Sequence, residues 1–212
     1  MQTKKRVFGV FVFVFLIWSF YRAFFAFPEW LEELILKPIV FLAPVFCLVK
    51  KEKRDLTSIG FSTKNLFRNI YFGLGLGIAF ALLGVLTNYL KYGGISFATF
   101  GLTGASLLWL MFLAFATAFS EEVLFRGYIF TRLLKTWKNE LTTGIVSAFL
   151  FSLIHLPIAL FVWHYTLSML FIQGFLTFLL GFGNAFLMAK TGTIVAPIIN
   201  HTLWGLTVFL FR

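Results

Sequence analysis

The sequence predicts an all-α fold, a polytopic transmembrane helical bundle of about seven spans with a site in the cytoplasmic half of the bilayer. Three observations carry that prediction. Of the 212 residues, 60% are hydrophobic and 12% charged, with a mean hydropathy of +0.92, outside the balance of a water-soluble domain. The apolar residues fall in runs of about 20, the length that crosses the hydrocarbon core. The basic residues fall between those runs, at Lys4 to Arg6, Lys50 to Arg54 and Arg126 to Lys138, the distribution expected of cytoplasmic loops.

The elements follow in order. The run "VFGVFVFVFLIWSFYRAFFAF" behind the first basic cluster has no small-residue cleavage site and is too long for a signal peptide, so it reads as a retained first span. The second run, "WLEELILKPIVFLAPVFCLV", holds Glu32, Glu33, Lys37, Pro38 and Pro44. It reads as a kinked or tilted span starting near the outer interface. A basic loop and a surface stretch, "IGFSTKNLFRN", precede the third span, "NIYFGLGLGIAFALLGVLTNYL", whose Gly73, Gly77 and Gly84 favour close helix contact. The fourth span runs from about Ser106 to Arg126, the fifth from Thr143 to His155 with an interruption at Pro157, the sixth from Tyr165 to Ala189, and the last from Thr191 to Phe211. Alternation of the basic clusters places the N-terminus in the cytoplasm, with Lys91 the one exception on the outer side. The chain reads as a single integral membrane domain over 1–212.

The same composition excludes several classes of function. A net charge of +10 would suit nucleic acid, but clusters confined to loop positions match membrane topology instead. Cys47 is the single cysteine, so no disulfide framework forms within the chain, and nothing near it in sequence activates a thiol.

Charges inside apolar runs need a reason. Glu121 and Glu122 close the stretch "LLWLMFLAFATAF", where an ionised carboxylate at the bilayer centre costs about 2.5 to 3.5 kcal/mol. Glu122 and Arg126 are related as i,i+4 and pair on one helix face, while Glu121 is turned about 100° away and is left over. Two of the three histidines lie in spans: His155 is followed by Pro157, and His201 stands four residues after Pro197. Measured from the inner ends of their spans, both lie about 15 to 18 Å deep. His164, near the outer interface, reads as solvated and idle. A surplus carboxylate and two imidazoles at matched depth point to a hydrated intramembrane cavity. In such a cavity a glutamate can take a proton from water, one histidine can hold that water, and another can donate to an oxyanion. Amide hydrolysis uses that set. No GxSxG, HExxH or paired transmembrane aspartates occur, against serine, classical zinc and aspartyl designs.

These residues resemble the CPBP or Abi family of intramembrane proteases, which includes type II CAAX prenyl endopeptidases and bacteriocin-processing or self-immunity proteins. The EExxxR motif stands at Glu121, Glu122 and Arg126, the FxxxH motif at Phe151 and His155, and the third, HxxxN, begins at His201. The resemblance covers about 101–212 as a catalytic core, with 1–100 as variable N-terminal spans. It implies hydrolysis of a peptide bond in a membrane-embedded or lipidated peptide or protein. Glu121 would be the general base, His155 would orient the water and His201 would stabilise the oxyanion, with Glu122 and Arg126 in support. Gly205 departs from the pattern, standing where the family has asparagine, with Asn200 or Asn184 as substitute donors. Losing such a donor costs roughly 3 kcal/mol in the transition state.

Metal use stays open at this point. Glu121, His155 and His201 could bind zinc, leaving Glu122 as base, but the pairing of Glu122 with Arg126 favours the metal-free arrangement. Two other classes compete: a catalytically weak or inactive scaffold or immunity protein, which Gly205 favours, and a small transporter, which should show paired halves that are absent here. A bacterial plasma membrane is the expected location.

Overall fold

The computed structural model describes residues 2–94 and 103–210. The Lys91 side chain, read above as an outer exception, and Phe211, read as the end of the last span, lie outside what is described. Among the described residues the chain is helical with no strand. Seven rods follow one another: α1 (Gln2–Phe24), α2 (Glu29–Leu31, Glu32–Leu36 and Lys37–Lys51 without a break), α3 (Leu66–Tyr92), α4 (Gly104–Trp137), α5 (Glu140–Val162), α6 (Leu167–Thr191) and α7 (Val195–Leu210). Five of them, α1, α3, α4, α5 and α6, are long and apolar enough to cross a membrane. The other two account for the difference from seven: α2 carries Glu32, Glu33 and Lys37 within its run, and α7 has 16 residues.

Proline and local polar groups shape the rods. In α2 the Glu32–Leu36 turn is π-helical, wider than an α-turn, and it rotates Glu32, Glu33 and Lys37 inward, where all three are buried. Pro38 follows that turn, at the second residue of the Lys37–Lys51 segment, where its missing N–H interrupts the helical hydrogen-bond ladder. Asn139 starts α5 by accepting the Thr142 N–H at 2.9 Å. The α-helical part of α5 ends at Leu153, and a π-turn over Ile158–Val162 begins behind Pro157, the expected interruption beside His155. Pro197 lies in the first turn of α7, and the carbonyl of Thr193, one turn earlier, accepts the Thr191 hydroxyl at 3.1 Å.

The fourth span departs from its expected end at Arg126. Helix α4 continues to Trp137, because Val123–Phe130 is wound as a π-helix with every residue buried. The two glutamates thus sit mid-helix rather than at a terminus. The stretch after the basic loop also differs from a surface segment: Ile59 is fully buried, and the Gly60 carbonyl accepts the Ile194 N–H at 3.1 Å.

Helix α7 packs between α3 and α4. The α3 glycines make that approach close: a Cβ at Gly73 would stand 2.8 Å from the Ala196 carbonyl oxygen, and one at Gly77 3.2 Å from the Asn200 Cα. This packing brings His201 to the middle of the bundle. Helices α1 and α2 cover α4 from another side, with Trp18 edge-on to Phe41 at 5.4 Å.

Candidate active site

Glu121 and Glu122 are adjacent on α4 yet meet different neighbours, as the helical rotation between them requires. Glu122 is fully buried. Its Oε1 accepts from Arg126 Nη1 at 3.1 Å and from Asn184 Nδ2 on α6 at 2.8 Å, and lies 2.8 Å from His201 Nδ1 on α7. Arg126, also fully buried, donates its Nη2 to the Gly181 carbonyl at 2.7 Å and stacks its guanidinium over Phe151 at 4.4 Å. Glu122 and Arg126 therefore pair as their spacing predicts, and they tie α4 to α6 and α7.

Glu121 faces the two imidazoles. Its Oε2 lies 3.7 Å from His155 Nε2 and 3.7 Å from His201 Nε2, and it has no hydrogen-bond partner among the described residues. Both separations are too long for a direct hydrogen bond and short enough for a water to bridge each pair. The rings are held from behind. His155 Nδ1 lies 2.8 Å from the Phe151 carbonyl, which only accepts, so Nδ1 carries a proton and Nε2 is the nitrogen that faces Glu121. Phe151, fully buried, meets both rings edge to face, at 4.8 Å from His155 and 5.5 Å from His201. The side chains expected to converge from α4, α5 and α7 do converge. They do so although His155 lies further along its helix than His201 along its own.

Glu121 is not, however, a carboxylate without a counter-ion. Lys37 on α2 places Nζ 3.1 Å from Glu121 Oε1 and 2.5 Å from Glu33 Oε2. Thr117, one turn before Glu121, donates its hydroxyl to the same Glu33 oxygen at 2.6 Å. Sequence reading assigned these α2 charges to the outer interface and missed their contact with the site. Their i,i+4 spacing inside an apolar run was the available signal.

The substitutes for the residue missing at 205 are differently employed. Asn200 donates to Asn184 Oδ1 at 2.5 Å, and Asn184 donates to Glu122, so both amides serve the support of His201. Gly205 faces α4, where a Cβ would lie 3.5 Å from that of Ala114. His164 is exposed in the loop after α5, and Cys47 is exposed on α2.

A helical membrane bundle that gathers a carboxylate and two imidazoles around one buried point has the groups that acid–base work on water requires. Residues 103–207, about half of the chain, match the family model described as type II CAAX prenyl endopeptidase Rce1-like. The chain is similar to that family through this segment, which holds both glutamates, Arg126, His155 and His201. The match supports a protease of the CAAX type located in the membrane. Neither a curated protein nor a solved structure matches the chain.

Proposed function

We propose that this chain is an intramembrane endopeptidase that hydrolyses a peptide bond of a membrane-associated or lipid-modified peptide or protein by glutamate-activated water. The observation that carries the reading is the placement of Glu121 Oε2 3.7 Å from both His155 Nε2 and His201 Nε2. A water there gives one hydrogen to Glu121 Oε2 and points its second at the His155 Nε2 lone pair. Its oxygen then attacks the peptide carbonyl carbon as Glu121 takes the proton. His201, held at Nδ1 by Glu122, acts on the resulting oxyanion through Nε2, with the proton that nitrogen carries when both ring nitrogens are protonated. Collapse of the tetrahedral species breaks the C–N bond, and Glu121 returns its proton to the leaving amine. Glu122 and Arg126 hold His201 and do not touch substrate.

The reading is metal-free. Zinc would need Glu121, His155 and His201 as ligands, but Lys37 already sets an ammonium 3.1 Å from the same carboxylate, and two cations there would repel one another. No group of three or more His, Cys, Asp or Glu side chains among the described residues is arranged to hold a metal ion. Metal analysis of the purified protein checks this: cleavage indifferent to chelators is expected, and stoichiometric zinc with chelator-sensitive cleavage overturns it.

Gly205 favours a second reading, a catalytically weak scaffold or self-immunity protein of the same fold, since no side chain projects one turn after His201. Glu121→Gln separates the two. Membrane peptides are compared between cells carrying the wild type and the variant at equal protein level. The protease reading expects peptide termini that appear only with the wild type, and with a defined peptide a fall in rate of about 10²- to 10⁴-fold. Identical termini in both cells sink it.

A further inference from the structure

Lys37 lies outside the segment that matches the family, on a helix whose sequence reads as an imperfect span. Yet its ammonium is buried and touches two carboxylates, Glu33 on its own helix and Glu121 on α4. An ammonium in an apolar bundle is costly unless paired, and this one is placed with care. The π-turn at Glu32–Leu36 swings Lys37 inward, and Thr117 braces Glu33 from the α4 side. The division of Glu121 is what matters. Its Oε1 is taken by Lys37, while Oε2 has no hydrogen-bond partner and faces the two imidazoles.

We infer that Lys37 is a positioning residue of the site: it pins Glu121 by Oε1, so that Oε2 alone is presented to the water held between His155 and His201. A carboxylate on a two-carbon stem has several rotamers, and the one adopted here points Oε2 at both Nε2 atoms. Without the ammonium, Glu121 loses the direct partner it has among the described residues and turns about its side-chain torsions, and a displacement on the order of 1 Å costs about 10²-fold in rate. Glu33 has the matching duty toward Lys37. The site is thus assembled from both halves of the chain, with α2 contributing through Glu121 rather than by contact with substrate.

The inference rests on the proteolytic reading, and the experiment separates the two. Purified wild type, Lys37→Met, Lys37→Arg and Glu121→Gln are reconstituted in lipid vesicles, and kcat and KM are measured on a peptide found from the membrane comparison. Melting in detergent is followed alongside. The expected result for Lys37→Met is a fall in kcat of about 10²-fold with KM little changed, and recovery of most of that loss in Lys37→Arg. A kcat that stays at the wild-type value in folded Lys37→Met overturns the inference while leaving the protease reading intact. Should wild type cleave nothing, an infrared readout still decides about Lys37. The difference between wild type and Glu121→Gln isolates the Glu121 carboxylate bands, and Lys37→Met is expected to shift them. Unshifted bands overturn the inference.

Discussion

Glu121 and Glu122 are the same residue one position apart, and about 100° of helical rotation gives them opposite duties. Glu122 gathers Arg126, Asn184 and His201 on one oxygen, whereas Glu121 gives one oxygen to Lys37 and turns the other toward the two imidazoles. That contrast makes a prediction about stability and function separately. Arg126→Leu strands the Glu122 charge in a fully buried position, and Glu122→Leu strands Arg126, so each single change destabilises by about 3–5 kcal/mol. The double variant removes both charges and recovers much of that stability, since a buried pair exchanged for apolar residues is often close to neutral. Activity does not return with it, because His201 Nδ1 has lost its carboxylate. Melting in detergent and cleavage rates on the three variants check this, and a double variant no more stable than either single one contradicts it.

At the scale of the element, the close seam between α3 and α7 sets where His201 stands. A Cβ at Gly73 meets backbone, the Ala196 carbonyl oxygen at 2.8 Å, whereas one at Gly75, two residues on, meets nothing within 4 Å. Gly73→Ala therefore forces the two helices apart and is expected to destabilise by about 1–3 kcal/mol and to lower activity, with Gly75→Ala as the neutral control. Equal melting points for the two variants would show that α3 does not set the position of α7. This seam was legible in the sequence, because glycine repeated along one face has a direct packing meaning. So were the seven rods and the three side chains that meet from α4, α5 and α7, since apolar length and out-of-place charge are local signals. The full length of α4 was not legible. Arg126 read as the end of the span and Arg132 as a residue of the basic cluster beyond it, and tertiary partners, the Gly181 carbonyl for one and Glu52 for the other, hold both within one helix. Lys37 stayed hidden for a related reason: its contact with Glu121 spans the two halves of the chain and depends on a π-turn that no residue pattern announces.

Across the whole molecule the basic clusters gather at one end of the bundle. Lys4 lies over the Trp137 ring at 5.7 Å, Arg6 is 4.0 Å from Glu52, and Glu52 receives Arg132 Nε at 2.8 Å. The start of α1, the end of α2 and the end of α4 thus share one face. Lys190 and Glu140 pair at 3.4 Å across the end of α6 and the start of α5, which marks the turn after α4 on the same side. Basic residues near span ends are retained in the cytoplasm, so we propose that this face is cytoplasmic and that the loop holding His164 is external. Single cysteines at Lys53 and Lys190 in a Cys47→Ser background are then expected to react with an impermeant maleimide only after the cells are opened. A cysteine in place of His164 should react in intact cells. The reverse pattern would invert the topology and would have the carboxylate–imidazole site receive its substrate from the other leaflet, with the geometry around Glu121 unchanged.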